Sequence, residues 1–505
     1  MSHLESIQRS PKPPKAKPKS ASILGVSHDA LPARKGDSKM GQPARASDCK
    51  LDFMKPVTVV GGGLAGSEAA WQLAERGVPV SLYEMRPAVS TPAHKTGRLA
   101  ELVCSNSLKS NTPGAASWLL KEELRRCGSL LLRLAQEHAV PGGAALAVDR
   151  ERFGDAVTAA IANHALVRLV RAEFREVSPD GLALIASGPL TSDCLAASLQ
   201  ALTGADNLAF YDSISPIVDA ETLNYDRIFR ASRYGKGGED YLNCALDEPE
   251  YRAFYEAVMT AETVQAHAFE DLNYFEACLP IEELARRGVD TLRFGPMKPV
   301  GLLDPRTGRQ PYAVVQLRAE NLRDSSYNLV GFQNHLKFPE QKCILRLIPG
   351  LERAEFLRYG QIHRNTYINA PRLLAPDLSL RASPRVFIAG QLSGVEGYVE
   401  CIATGLLAGM ALAVRTLDQP FAPPPRTTAL GSLVHYITHA DTANYQPANI
   451  SFDLLPAAVG LPRAIMRDRS KRRAWQCERA LADLTSWLER SGQLSVVSSQ
   501  ASVLG

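Results

Sequence analysis

A strand, a glycine turn and a helix follow one another near the front of the chain, and together they leave few folds open. Val57 to Val60 is a short β-branched run. Gly61-Gly62-Gly63-Leu64-Ala65-Gly66 comes directly after it, and Ser67 to Arg76 has helical character. This is G-x-G-x-x-G in the setting that gives the pattern meaning. Gly61 permits the tight turn, Gly63 lets backbone approach a pyrophosphate, and Gly66 lets the helix lie close on the strand. The helix start offers free N–H groups and partial positive charge to phosphates. A second strand over residues 79–83 ends at Glu84, 23 positions after Gly61. That suits a carboxylate holding a ribose hydroxyl. The acid disfavours a 2′-phosphate, so FAD or NAD is expected rather than NADP.

Net charge is +4, but residues 1–55 hold eleven Lys/Arg against five Asp/Glu, which leaves −2 for the remainder. A nucleic-acid partner must therefore be met by a local patch. Nine cysteines without a C-x-x-C, and no run long enough for a signal or a membrane span, point to a reducing cytoplasm. Residues 1–53, rich in Pro, Lys, Ser and Ala, are expected to be disordered; they suit a basic arm that touches RNA, an inert and dispensable tail or, since Met54 directly precedes the first strand, a start-site artefact.

Beyond the tail, the expected organisation is a first part of the dinucleotide-binding domain over 54–190, an inserted α+β domain over 191–334, a second part over 335–425, a helical region over 426–490 and a frayed end over 491–505. A single amphipathic helix is expected over 119–137, helices over 149–163 and 401–417, and strands over 167–176, 182–186 and 385–389. The last of these strands enters the glycine-rich Gly390-Gln391-Leu-Ser-Gly394-Val-Glu-Gly397-Tyr398 turn. A late strand of this kind returns beside the first strand in flavoproteins with a discontinuous FAD domain.

Two cysteines sit in chemically suggestive surroundings. Cys104 lies among Ser and Asn (LVCSNS), whose donors favour a thiolate. Cys278 lies in an aromatic loop beside Glu276. Each is also compatible with a small core residue. Arg293 and Lys298, in a turn-rich segment, suit an anionic ligand or a plain hairpin loop. His363 and Arg364, inside YGQIHRNTY, suit a flat heterocycle or a structural polar network. His435 and His439 have i, i+4 spacing but no third ligand with convincing spacing, so no metal is expected.

The motifs GGGLAGSEAAWQLAERG, TPAHKTGRLAELVCSNSLKSN, PGGAALAVDRERF, FEACLPIEELARRG, FGPMKPVGL, YGQIHRNTYIN, AGQLSGVEGYVE and YQPANISFDLLP occur in order. Over residues 54–456 the chain resembles the folate-dependent tRNA uracil-5 methyltransferases, the TrmFO family. The resemblance implies a glutathione-reductase-like α/β flavoprotein with FAD. It implies 5,10-methylenetetrahydrofolate as carbon donor, NAD(P)H as reductant and uridine 54 of the tRNA T-loop as acceptor. Carried over by position, Gly61, Gly62, Gly63, Leu64, Ala65 and Gly66 are the FAD turn, with Glu84, Gly390, Gln391 and Tyr398 also at the cofactor. Tyr398 would stack on the flavin, and Cys104 and Cys278 are the catalytic thiols. Pro92 and His94 match without an assigned role. Ala277 stands where the family's FEGC motif has glycine. Cys278 is the expected C6 nucleophile and Cys104 its partner, roles that can be exchanged. Lys298, His363 and Arg364 are expected at the substrate. The T-arm of tRNA is the expected partner, with no membrane and no stable protein partner. The rival readings are the related MnmG family, a small-molecule NAD(P)H–flavin oxidoreductase, and a flavin-containing RNA-binding factor without turnover. The MnmG family has a longer C-terminal helical region.

Overall fold

The computed structural model describes residues 55–491 apart from 92, 179, 205–207, 214, 237, 265–278, 444, 458–460 and 462; side chains of 208–213, 362–365 and 463–464 are also not described. Cys278 and Pro92 therefore lie outside the described residues, as do the 1–53 tail and the 492–505 end.

Five parallel strands form the sheet that carries the site. Their order is Val386–Ile388, Ala183–Ile185, Val57–Val60, Val80–Tyr83 and Val167–Val170. Their apolar runs reflect burial on both faces. The late strand does not return directly beside the first. It pairs with Ala183–Ile185, because Val57–Val60 already has a neighbour on each edge. The strand expected over 167–176 ends at Val170.

The helix after the glycine turn, Leu64–Ala74, packs on the late helix Tyr398–Arg415 through small residues. A Cβ on Gly405 would sit 2.2 Å from the Ala65 carbonyl oxygen, and one on Gly409 would sit 2.8 Å from that of Ala69. Backbone therefore meets backbone at this crossing. The late helix is long and apolar enough to cross a membrane, yet 83% of it is buried inside the protein, as a core helix is.

The helix expected over 119–137 is two, Ala116–Arg126 and Leu130–Glu137. Gly128 turns the chain between them at φ +73°, and Ser129 caps the second helix at the Leu132 N–H. The buried carboxylate of Glu68 accepts from the N–H groups of Leu130 and Leu131. Glu123, also buried, accepts from Ala429 and Leu430, at the start of the helix Ala429–His439.

A second body has a six-stranded antiparallel sheet, ordered Ile228–Arg230, Tyr241–Leu246, Ala313–Ala319, Ser326–Leu329, Ile217–Asp219 and Phe356–Arg358. Its separate hydrophobic core runs from Val218 to Ala354. The boundaries expected at 191 and 334 therefore cut through both bodies. Leu195 and Leu199 belong to the first core, and Ile344, Leu345, Ile348 and Leu351 to the second. The strand Leu208–Ser213 pairs with Ile362–Tyr367, closing the insertion at its two ends.

Candidate functional site

A cleft opens at the carboxyl ends of the parallel strands, where ligands of open α/β sheets bind. It holds about 1040 Å³ of empty space, its mouth included. Gly61, Gly63, Leu64, Ala65, Glu84, Gly390, Gln391 and Tyr398 all line it. Gly62 and Gly66 act from behind. Gly62 donates its N–H to Glu84 (2.9 Å), and a Cβ on Gly66 would fall 1.8 Å from the Gly61 carbonyl oxygen.

Gly63 differs from the other turn glycines. Its backbone is extended (φ −73°, ψ −167°), a conformation any residue adopts, and a Cβ there would meet nothing within 4 Å. No part of the protein requires glycine at this place. Gly63 also starts the helix without any side-chain cap. Open space in front of uncapped helix N–H groups is the cradle that a pyrophosphate fills. The lining thus fits a dinucleotide such as FAD.

Glu84 is only 5% exposed. Each of its oxygens is shared by two protein donors. Oε1 accepts from the Arg86 N–H and Nε (2.9 and 2.8 Å), and Oε2 accepts from Gly62 N–H and an Arg86 terminal nitrogen (2.9 and 3.1 Å). Burial alone would push its pKa up. The bonds to Arg86 outweigh that and hold it below the ordinary carboxylate value. Glu84 therefore braces the glycine turn from beneath, and a ribose hydroxyl has to join or displace one of these donors. His94 lines the same cleft, with Nδ1 2.6 Å from the Thr91 hydroxyl. Burial and then the charge of Arg86 lower its pKa to about 4, so it is neutral at physiological pH.

Tyr398 has a second part beyond lining the cleft. Its buried hydroxyl accepts the N–H groups of Cys104 (2.8 Å) and Ser105 (3.2 Å). Burial raises its pKa well above that of an ordinary phenol, so it stays protonated. Cys104 is half-buried. Arg150 and Arg358 bond to its carbonyl oxygen at 3.3 and 3.4 Å. Both, with Arg318, lie within electrostatic reach of its sulfur. Glu320 pairs with Arg150; burial is the largest single influence on that guanidinium, but the charge and hydrogen bond of Glu320 together with smaller contributions from its other neighbours outweigh it and raise its pKa. Arg318 donates to Asn106 Oδ1 (2.7 Å), fixing the loop to the second body. Among the described residues, the buried Arg358 Nε–H has no hydrogen-bond partner. Three guanidiniums thus lie around one thiol.

Sequence reasoning missed all three arginines and Glu320. They lie 46 to 254 positions from Cys104, and only Arg150, just after the Asp149 helix cap, has a local signal. Of the expected substrate residues, Lys298 is exposed on the second body and does not line the cleft. Its neighbour Arg293 stacks over Tyr312 at 3.6 Å, a structural contact. His363 and Arg364 pair through backbone with Asp212 and Tyr211. Further along that strand, Thr366 N–H bonds to the carbonyl of Pro189 in the cleft wall. The rings of His435 and His439 stack 4.5 Å apart, and among the described residues no group of three or more His, Cys, Asp or Glu could hold a metal.

The parallel sheet, the glycine cradle and the late helix start define an α/β protein of the Rossmann-type dinucleotide-binding class. Two crystal forms of GidA from Aquifex aeolicus share this fold, with TM-scores of 0.62 and 0.60 at 15% identity. They cover 88% and 86% of this chain, which spans 78% and 76% of theirs. The profile of the family described as glucose inhibited division protein A matches residues 56–420. A protein of Solibacter usitatus is 62% identical over 439 residues, covering 86% of this chain and 98% of its own length. One of Koribacter versatilis is 58% identical over 436 residues, with the same coverage. Both carry the name methylenetetrahydrofolate–tRNA-(uracil-5-)-methyltransferase TrmFO. The chain belongs to the TrmFO family.

Proposed function

We propose that this protein methylates C5 of a tRNA uridine, position 54 of the T-loop, in the cytoplasm. The one-carbon unit comes from 5,10-methylenetetrahydrofolate. Uridine, methylenetetrahydrofolate, NAD(P)H and a proton become 5-methyluridine, tetrahydrofolate and NAD(P)+. Family membership carries the reading, and the thiol held beside a dinucleotide cleft is the structural observation that supports it. Bound FAD supplies the redox chemistry, taking two electrons from NAD(P)H and giving them up as a hydride. The glycine turn and helix start would hold its pyrophosphate, Glu84 its adenosine ribose, and Gly390, Gln391 and Tyr398 its flavin end.

C5 of uracil is a weak nucleophile until a thiolate adds at C6 and makes it enolate-like, which is covalent catalysis. Cys278 is our assignment for that attack, with Cys104 as its partner in proton transfer or protection. Arg150, Arg318 and Arg358 lie around Cys104, and Tyr398 sets the position of its backbone. The T-loop base must leave its stack to reach such a site.

The test is ribothymidine formation on an unmodified tRNA transcript, with folate donor and S-adenosylmethionine compared. Only the folate donor should support it. Cys104→Ala and Cys278→Ala should each abolish product while keeping FAD. A 5-fluorouridine tRNA should trap a denaturation-resistant adduct in the wild type and lose it in the variant lacking the attacking sulfur. Near-normal turnover in either alanine variant would remove that cysteine from the mechanism.

A further inference from the structure

A second cleft, with about 1780 Å³ of empty space, its mouth included, is lined in part by Lys109 of the strand Ser107–Ser110, which follows the Cys104 loop. Lys109, Arg469, Arg472 and Arg473 line it, and among the described residues Asp453 is the one acidic residue in its wall. Lys109 is held by Glu400 (2.7 Å) and by Asn449. Arg469 and Arg473 pair with no carboxylate among the described residues. Arg473 lies over the ring of Phe452, 5.0 Å from its centre. Arg472 donates to the Met466 carbonyl (2.7 Å), which turns its guanidinium into the wall. Arg467 and Lys471 add two further cations beside it, against Asp468.

The opposite wall is the start of the helix Ala116–Arg126. Ala115, Ala116 and Ser117 line the cleft there, and this helix start carries no side-chain cap. Its free N–H groups and partial positive charge add to the arginines. The space is many times that of one phosphate, and it is open to solvent. The cleft is also tied to the cofactor site. Ile450 N–H bonds to Glu400 in the first turn of the late helix, whose first residue is Tyr398.

We propose that this cleft binds the phosphate backbone of the RNA substrate beside the target base, an inference that rests on the tRNA-modifying reading above. Outside its N-terminal tail the chain is slightly acidic, so RNA has to be gripped by a local concentration of cations. An aromatic ring beneath one arginine and a second wall of backbone N–H groups suit sugar–phosphate better than an acidic protein surface.

The experiment uses the full chain with bound FAD and a fluorescein-labelled, unmodified tRNA transcript, with Kd measured by anisotropy from 50 to 200 mM KCl. The variants are Arg469→Gln/Arg473→Gln and the charge-keeping Arg469→Lys/Arg473→Lys. Flavin absorbance and circular dichroism verify that each is folded. The Gln pair should weaken binding about tenfold and make the slope of log K against log salt shallower by roughly 1.4–1.8, about 0.7–0.9 for each phosphate that is no longer neutralised. The Lys pair should keep the wild-type slope. A Gln pair with wild-type Kd and slope, or with weaker binding at an unchanged slope, would overturn the proposal. Wild type that methylates while the Gln pair binds normally removes the cleft and leaves the activity. The expected slope change in a protein that forms no ribothymidine keeps the cleft and removes the activity.

Discussion

Gly63 and Gly66 lie three residues apart in one motif, and the structure gives them opposite duties. Gly63→Val puts a side chain into space that the protein leaves empty, from an extended backbone that valine adopts readily. Its cost to the apoprotein is that of an unfavourable helix N-cap, about 1 kcal/mol or less. Its cost to a bound pyrophosphate is overpacking, about 1–3 kcal/mol, which is roughly 5- to 150-fold in Kd. Gly66→Ala puts its methyl 1.8 Å from a backbone oxygen that cannot swing away. The helix must then move off the sheet, which damages apoprotein and cofactor site together. The assay is FAD titration of apoprotein by flavin fluorescence, with thermal unfolding followed with and without FAD. Apo Gly63→Val should melt close to apo wild type, yet bind FAD at least fivefold more weakly. Wild type should gain about 2.7 kcal/mol of stability at FAD one hundred times its Kd, and the variant clearly less at the same FAD concentration. Gly66→Ala should melt several degrees lower even without FAD. Wild-type FAD affinity in folded Gly63→Val would refute the placement of the pyrophosphate.

Tyr398→Phe leaves the Cys104 and Ser105 N–H groups without their acceptor; losing those bonds costs about 1–3 kcal/mol, so methylation kcat should fall roughly tenfold or more while FAD stays bound. An unchanged kcat would mean that the tether does not set the thiol. The Glu123 carboxyl is raised by burial to about 8, against an ordinary 4.5. Its neutral form is the one the fold favours, so its contribution is complete below pH 4.5 and is lost as pH rises toward 8. Glu123→Gln should therefore flatten the fall of Tm between pH 5 and 8.5, a contribution of up to about 5 kcal/mol; parallel Tm profiles would refute this.

The parts of the site that depend on neighbours in the chain could be read from the chain. Strand, glycine turn, helix and strand-end Glu84 are one βαβ unit, and their chemistry follows from spacing. Cys104 stood out because small polar residues flank it. The guanidiniums around it did not, because Arg318 and Arg358 reach it only once the antiparallel sheet docks on the loop. The break between Leu130–Glu137 and the helix before it has a local signal, Gly128-Ser129, that the amphipathic pattern on either side obscured. The edges of the insertion were misjudged because Asp193–Thr203 and Phe338–Leu345 are both helices with mixed faces, and only packing assigns each to its core.

The Cys104 loop is held by residues made much later than itself. Tyr398 follows Cys104 by 294 positions and Arg358 by 254. At roughly 5–20 residues per second of synthesis, the thiol leaves the ribosome about 15 to 60 seconds before the hydroxyl that tethers it. Within that interval Arg150 arrives first, 46 positions after the thiol, and Arg358 only late, 254 positions after it. The tether between the Cys104 loop and Tyr398 therefore forms only after most of the chain has been made, and a chain cut short before Tyr398 carries the thiol without it.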